Sequence, residues 1–320
     1  MSKRNLATQI VAAALVIVAA NVAVAYLARN SYSRVLLRKA EVATSETDAF
    51  IGNSLVRCGI DERAFEAVRP NSQAVNLGLG STWTLDHYLI SRQLKSARLR
   101  AVYYGFSDLQ LVATGEQDFS TLVGNRALVY YAEPEIAARY FRGNSVWAAV
   151  FPHLQYLPML VERLTVWSKV EKLRRQIGEW GLPKAAVNEF GRVEDFAANE
   201  RDVTEVANSC RSAVAEAHPI VPEIRDMIQE MRRRNAEVVM VSMPLPSRHR
   251  ARYYDSPEWR SYLRYVQTLI AAEGASYIDA SDWIADEYFT DVLHLNEAGA
   301  AEFSTRLAQL MNSRQPAAAP

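Results

Sequence analysis

An apolar run near the amino terminus constrains this chain more than any other feature. Ile10 to Ala28 is apolar except for Asn21, and with Leu6 and Ala7 the run approaches the roughly 20 residues a helix needs to cross a bilayer. Lys3 and Arg4 precede it, and a basic start followed by a long apolar stretch is the pattern of an export signal. Ala23-Val24-Ala25 has the form of a cleavage site, but the run continues through Tyr26-Leu27-Ala28 and exceeds the roughly 7 to 15 residues of a signal core. The sequence therefore predicts an uncleaved anchor over residues 6–28, with residues 1–5 cytoplasmic. Arg29, Arg34, Arg38 and Lys39 come directly after the anchor, and by charge alone they count toward a cytoplasmic carboxyl side.

The chain as a whole has the composition of a folded protein, 49% hydrophobic and 22% charged, which is enough to bury a full core. Lys plus Arg and Asp plus Glu both number 36, so there is no basic excess to serve as a footprint for nucleic acid. The two cysteines, Cys58 and Cys210, lie far apart, and spacing alone does not decide whether they pair.

After a linker over residues 29–46, short apolar runs alternate with segments of helical period, the pattern of an α/β domain with a parallel sheet. The expected strands are Ala49 to Gly52, Ala74 to Leu77, Arg98 to Tyr104, Glu237 to Met243 and Ser276 to Ile278. Val221, Ile224, Ile228 and Met231 share one helical face, as do Tyr262, Val266, Leu269 and Ile270. Ser256 followed by Pro257 marks the start of that second helix, and Asn296 is a favourable N-cap for the last one. The core is thus expected over 47–109 and 217–312, ahead of a disordered tail at 313–320.

Between them the strand rhythm stops, and 110–216 reads as a mainly helical insertion. Within it Leu157, Leu160, Leu164, Trp167, Val170, Leu173, Ile177 and Trp180 recur at three- and four-residue steps, interspersed with Lys169, Lys172, Arg174 and Arg175. This pattern fits a helix packed on the core, a face lying on a membrane surface, or a docking face for a partner.

Two short segments carry chemistry. In Ile51-Gly52-Asn53-Ser54-Leu55 an apolar strand runs into a serine just ahead of a helix, which exposes the hydroxyl at the carboxyl edge of a parallel sheet, where α/β folds bind ligands. Val56 stands where an α/β-hydrolase elbow would have its second Gly, which disfavours that family. Near the other end, Asp291-Val292-Leu293-His294-Leu295-Asn296 supplies a base and a carboxylate to orient it, as a nucleophilic serine requires. His87, His153, His218 and His249 lack such a partner and read as surface or packing residues. There is no H-E-x-x-H, paired C-x-x-C, P-loop or dinucleotide fingerprint, so neither a metal nor a cofactor is predicted.

Ser first and Asp-x-x-His last on an α/β chain resembles the SGNH or GDSL hydrolase superfamily, outside the insertion. The first block is matched by Gly52-Asn53-Ser54 and the last by Asp291, His294 and Leu295-Asn296. The resemblance implies a three-layer α/β/α, flavodoxin-like fold and a triad of Ser54, His294 and Asp291. It also implies an oxyanion hole built from the Ser54 N–H and a glycine of Asn76-Leu77-Gly78-Leu79-Gly80-Ser81, best matched by Gly80 with Gly78 in reserve. The third block usually ends in Asn-Asp, and here Gly105-Phe106-Ser107-Asp108 puts Ser107 where the other oxyanion donor belongs.

With its anchor, its Gly-Asn-Ser block and its helical insertion, the chain looks like the DltD-like, polysaccharide O-acetylation branch. That resemblance implies an extracytoplasmic domain acting on acyl esters of a cell-surface glycan beside a membrane-bound O-acyltransferase, and it is what sets the orientation against the charge count. A lipid esterase and a non-catalytic assembly or glycan-binding subunit are the competing expectations.

Overall fold

The computed structural model describes residues 3–42, 46–80, 82–94, 98–112, 130, 133–140, 149–178 and 201–314. The chain divides into two compact units, one made of residues 1–37 and 117–186 and the other of 38–116 and 187–320.

The second unit is an α/β domain. Five strands, β1 (Glu46–Gly52), β2 (Gln73–Asn76), β3 (Arg98–Phe106), β4 (Glu237–Ser242) and β5 (Ser276–Asp279), form one sheet in the order β2-β1-β3-β4-β5. All its pairings are parallel. A parallel sheet is covered on both faces, so its strands are near-continuous apolar runs; β1 is buried from Thr47 to Gly52 and β4 from Val238 to Ser242. Each of the five expected strands is present, with ends moved by three residues at most.

From β1 the chain steps one way to β2 and then back across to β3, β4 and β5. Right-handed crossovers therefore put the intervening helices on opposite faces. Helices α3 (Ser54–Gly59) and α4 (Glu62–Val68) pack with the last helix, α13 (Glu297–Arg314). α5 (Thr84–Arg92) packs with α10 (Pro222–Arg233), and α9 (Val203–Ala215) packs with α11 (Ser247–Tyr253) and α12 (Pro257–Ala272). The caps read from sequence are present: the Ser256 hydroxyl accepts from Trp259 N, and Asn296 Oδ1 accepts from Gly299 N.

The expected insertion is shorter at its carboxyl end than 110–216, because α9 belongs to the α/β unit. Its Val206, Cys210 and Ala213 are buried in that unit. An isolated antiparallel bridge joins Val112 to Ile220 within that unit. Cys58 and Cys210 are not joined in a disulfide.

The first unit contains α1 (Lys3–Leu27), a helix whose segment Leu6–Leu27 is long and apolar enough to cross a membrane. Within the expected linker, α2 (Tyr32–Val42) is helical, and it carries the chain into the second unit. The unit also holds α6 (Pro134–Tyr140), a 3-10 segment Phe151–Tyr156, the single turn α7 (Pro158–Val161) and α8 (Arg163–Gly178). Buried Glu162, between α7 and α8, accepts hydrogen bonds from Ser31 Oγ at 2.8 Å and Tyr130 Oη at 2.6 Å. Trp180 and residues 315–320 of the expected tail lie outside the described residues, whereas Ser313 and Arg314, also expected in that tail, are the last two residues of the helix α13.

Candidate active site

The site forms where the strand order reverses, between β1 and β3. Gly52 pairs with Gly105 at the carboxyl ends of these strands, so Ser54 and Ser107 each stand two residues beyond a paired glycine on adjacent strands. Asn53 caps α3 by accepting from Leu55 N at 2.9 Å, and Ser54 becomes the first helical residue.

Ser54 Oγ lies 2.9 Å from His294 Nε2, and His294 Nδ1 lies 2.8 Å from Asp291 Oδ2. Thus residues about 240 positions apart in sequence meet in one hydrogen-bonded line. The Asp-x-x-His loop is prearranged by its own backbone. An antiparallel bridge between Phe289 and Leu295 closes it, and Thr290 N donates to His294 O. Inside it Asp291 Oδ1 accepts from the N–H groups of Leu293 and His294, at 2.9 and 2.8 Å. Burial pushes the Asp291 carboxyl up, but the His294 ring and these two N–H groups outweigh it and hold the carboxyl below its ordinary value. Asp291 therefore stays ionised through the neutral range, and the charge that fixes the His294 tautomer is lost only in acid.

The second block folds against α3. The Asn76 side chain donates to the carbonyls of Val56, Arg57 and Ile60, each at 3.2 Å, and accepts from Gly78 N at 2.9 Å. Leu79 N donates to Gly52 O, which continues the β1 pairing into the loop. The two candidate glycines separate here. A Cβ on Gly78 would fall 2.3 Å from Arg57 N, so Gly78 lets the loop lie directly on the α3 backbone. A Cβ on Gly80 would stand 3.8 Å from Ser54 Cβ, in ordinary contact, so Gly80 is the glycine beside the serine.

Behind Gly80 runs a buried polar line that sequence reasoning missed. Thr82 Oγ1 donates to Leu79 O and lies 2.8 Å from His87 Nε2, while His87 Nδ1 lies 2.8 Å from Tyr104 Oη. His87 is fully buried, and burial lowers its pKa to about 3, so its imidazole is neutral and has one donor and one acceptor nitrogen to offer. The available signal was weak: a threonine and a histidine five apart flanking the start of a helix.

In the third block Asp108 takes a left-handed φ of 51°, a conformation that Asp tolerates better than most residues. Tyr254 Oη accepts from Asp108 N at 3.1 Å and donates to Asp108 Oδ1 at 2.9 Å, and His249 Nε2 lies 3.2 Å from the same oxygen. Burial holds the Tyr254 phenol well above its ordinary pKa, so it remains a donor. His249 therefore packs behind this turn rather than on open surface. Ser107, just before it, is half-buried, and its hydroxyl has no hydrogen-bond partner among the described residues. Replacing Ser107 by Asn should raise hydrolysis of a small activated ester by on the order of tenfold, less than the roughly 10² to 10³ that a whole oxyanion donor is worth. Steady-state kinetics on the purified variant check this, and a fall in rate would mean the fixed turn has no room for the longer amide.

Among the described residues, no three or more of His, Cys, Asp and Glu gather in a way that could hold a metal ion.

A family model matches residues 198–315, well under half of the chain, and that stretch includes Asp291 and His294 but not Ser54. No curated protein matches the sequence. Among solved structures, the chain is similar to a Bacteroides fragilis protein provisionally assigned as an acylhydrolase, at 9% identity and a TM-score of 0.41, over 88% of this chain and 96% of that one. It is also similar to a lipase/acylhydrolase from Enterococcus faecalis, at 11% identity and a TM-score of 0.37, over 86% and 100%. A variant of an acetylxylan esterase from Geobacillus stearothermophilus matches at 11% identity and a TM-score of 0.37, over 86% and 97%.

Proposed function

We propose that this chain is a membrane-anchored serine esterase or acyltransferase of the SGNH type, acting outside the cytoplasm on acyl esters of a cell-surface glycan through an acyl-Ser54 intermediate. The observation that carries the reading is the unbroken line from Ser54 Oγ through His294 to Asp291, with hydrogen bonds of 2.9 and 2.8 Å.

In this mechanism His294 Nε2 takes the Ser54 proton as Oγ attacks the ester carbonyl carbon, and Asp291 stabilises the imidazolium that forms. Negative charge develops on the carbonyl oxygen, where the N–H groups of Ser54 and Gly80 receive it, with Ser107 as a further donor. Collapse of the tetrahedral adduct breaks the ester bond, and His294 gives its proton to the departing alkoxide. A second hydroxyl, from water or from a sugar, then loses its proton to His294 and attacks acyl-Ser54, which returns the serine and yields a free acid or a new ester. The anchor, the Gly-Asn-Ser block and the helical insertion support the polysaccharide O-acetylation branch, with a membrane-bound O-acyltransferase as the partner.

One experiment tests site and orientation together. A membrane-impermeant fluorophosphonate should label the full-length protein in intact cells stripped of any outer barrier, and Ser54→Ala should abolish the labelling. Labelling only after lysis would reject the extracytoplasmic orientation, and no labelling of folded wild-type protein under either condition would reject the serine nucleophile.

A further inference from the structure

We propose that the segment from Tyr156 to Leu173 is a second membrane-embedded element, with α7 submerged in the leaflet at the carboxyl end of α1 and α8 lying at that leaflet's headgroup level. The inference rests on the reading of α1 as a membrane anchor.

Asn21 is the one strongly polar residue in the outer half of the apolar helix, and its side chain is used at both ends: Nδ2 donates to Tyr156 O and Oδ1 accepts from Met159 N, each at 3.0 Å. An amide in hydrocarbon must find partners within the protein, and here it also caps the first turn of α7. Asn21 lies six residues before Leu27, which at ~1.5 Å per residue is about 9 Å inside the end of the apolar helix. The backbone of residues 156–159 therefore sits at that depth.

The covered face of α1 leads to the same place. Ala20, Asn21, Val24, Ala25 and Ala28 are partly or fully buried while their neighbours are exposed, a stripe at helical spacing where α7 packs. Length decides whether that stripe lies in lipid. Leu6–Leu27 has 22 residues, about 33 Å of helix against a hydrocarbon core of roughly 30 Å. If residues 20–27 stood clear of the bilayer, only ~21 Å of apolar helix would remain to span it. The packed stretch is needed for the crossing, and α7 goes in with it.

The remaining surface is consistent with burial in lipid and at its boundary. Tyr156 and Leu160 are exposed beside α1, and Trp167, Val170 and Leu173 are exposed along α8. Lys169 Nζ donates to Leu27 O, which puts an ammonium group at the end of the apolar helix, and Arg174 is exposed one turn further on. Aromatic and basic residues at that level match the interfacial zone, with its anionic headgroups.

The test uses the full chain in phosphatidylcholine–phosphatidylglycerol vesicles, with Cys58 and Cys210 replaced by Ala and nitroxide labels placed one at a time at Val16, Leu160, Leu173 and Glu302. Power saturation compares contact with oxygen, which partitions into lipid, and with a water-soluble nickel chelate. Val16 and Leu160 should both favour oxygen and lose nickel contact, Leu173 should be intermediate, and Glu302 should favour nickel. Leu160 as nickel-accessible as Glu302, with Val16 in lipid, would overturn the inference and leave the anchor standing. Leu160 shielded from both reagents would also overturn it, because protein and not lipid would then cover the face. Nickel access at Val16 would overturn the anchor reading and this inference together. Brominated lipids give a measurement that needs no cysteine replacement: they should quench a component of native fluorescence that disappears in Trp167→Phe, and absence of that component contradicts the headgroup placement of α8.

Discussion

Ser54→Ala and His294→Ala should each lower turnover of an acetyl ester by about 10⁴ or more while leaving the fold intact. Ser54 Oγ makes its 2.9 Å hydrogen bond to His294 from a partly exposed position, and removing a hydroxyl there opens no cavity in the core. Nucleophile and base act as one unit, so the double variant should be scarcely slower than either single one. Asp291→Asn is the milder lesion: the loop keeps its Phe289–Leu295 bridge and an oxygen for the Leu293 and His294 N–H groups, and only the carboxylate charge facing Nδ1 is lost. Steady-state kinetics with circular dichroism on the same samples decide the matter. Wild-type turnover by folded Ser54→Ala, or losses in the double variant that multiply, would break the assignment.

The second large effect is expected from a methyl group with no chemistry of its own. Gly78→Ala places a Cβ 2.3 Å from Arg57 N and 2.7 Å from Arg57 Cα, and a helix backbone cannot turn aside as a side chain can. The loop has to lift off α3, taking Gly80 away from Ser54. A misplacement of about 1 Å costs on the order of 10² in rate, and the overpacking itself costs about 1–3 kcal/mol of stability. Gly80→Ala meets only contacts of 3.8 and 3.9 Å and keeps its N–H, so it should stay within about tenfold of wild type. Measuring kcat/KM and thermal midpoint for both variants separates the roles. Equal losses at 78 and 80 would mean that the loop is not seated on α3 as described.

The strands are legible in the sequence because β1 and β4 are short runs buried on two faces, a pattern that few other elements produce; the edge strand β5, with four residues of which only Ile278 is buried, is legible from its short apolar run alone. Ser54 and the Asp291–His294 pair, which the fold brings together, are legible as candidates because the proposed chemistry needs particular side chains at element ends. Illegible is whatever depends on contacts across the fold. Asn76 looks like any polar residue ending a strand, yet it ties the second block to three carbonyls of α3. Sequence prefers Gly80 to Gly78 only by resemblance, because the physical difference lies in what stands opposite each of them. The carboxyl boundary of the insertion is misread at α9 because an amphipathic helix carries no mark of the surface it packs on; one partner, α12, begins over 40 residues later.

The closed Asp291–His294 loop has a consequence for how this site would fail. Its internal bonds all fall within residues 289–295, so His294 and Asp291 form a cassette that survives local disturbance. Ser54 belongs to the opposite end of the chain. The two are kept in register by the docking of α13 against α3 and α4, where Ser304 Oγ accepts from Asp61 N at 2.8 Å and Asn312 Nδ2 donates to Val68 O at 2.9 Å. Loosening that seam would part serine from histidine while each half kept its own geometry. Under heat or mild denaturant, loss of activity would then report the slipping of one helix and would come before the sheet gives way.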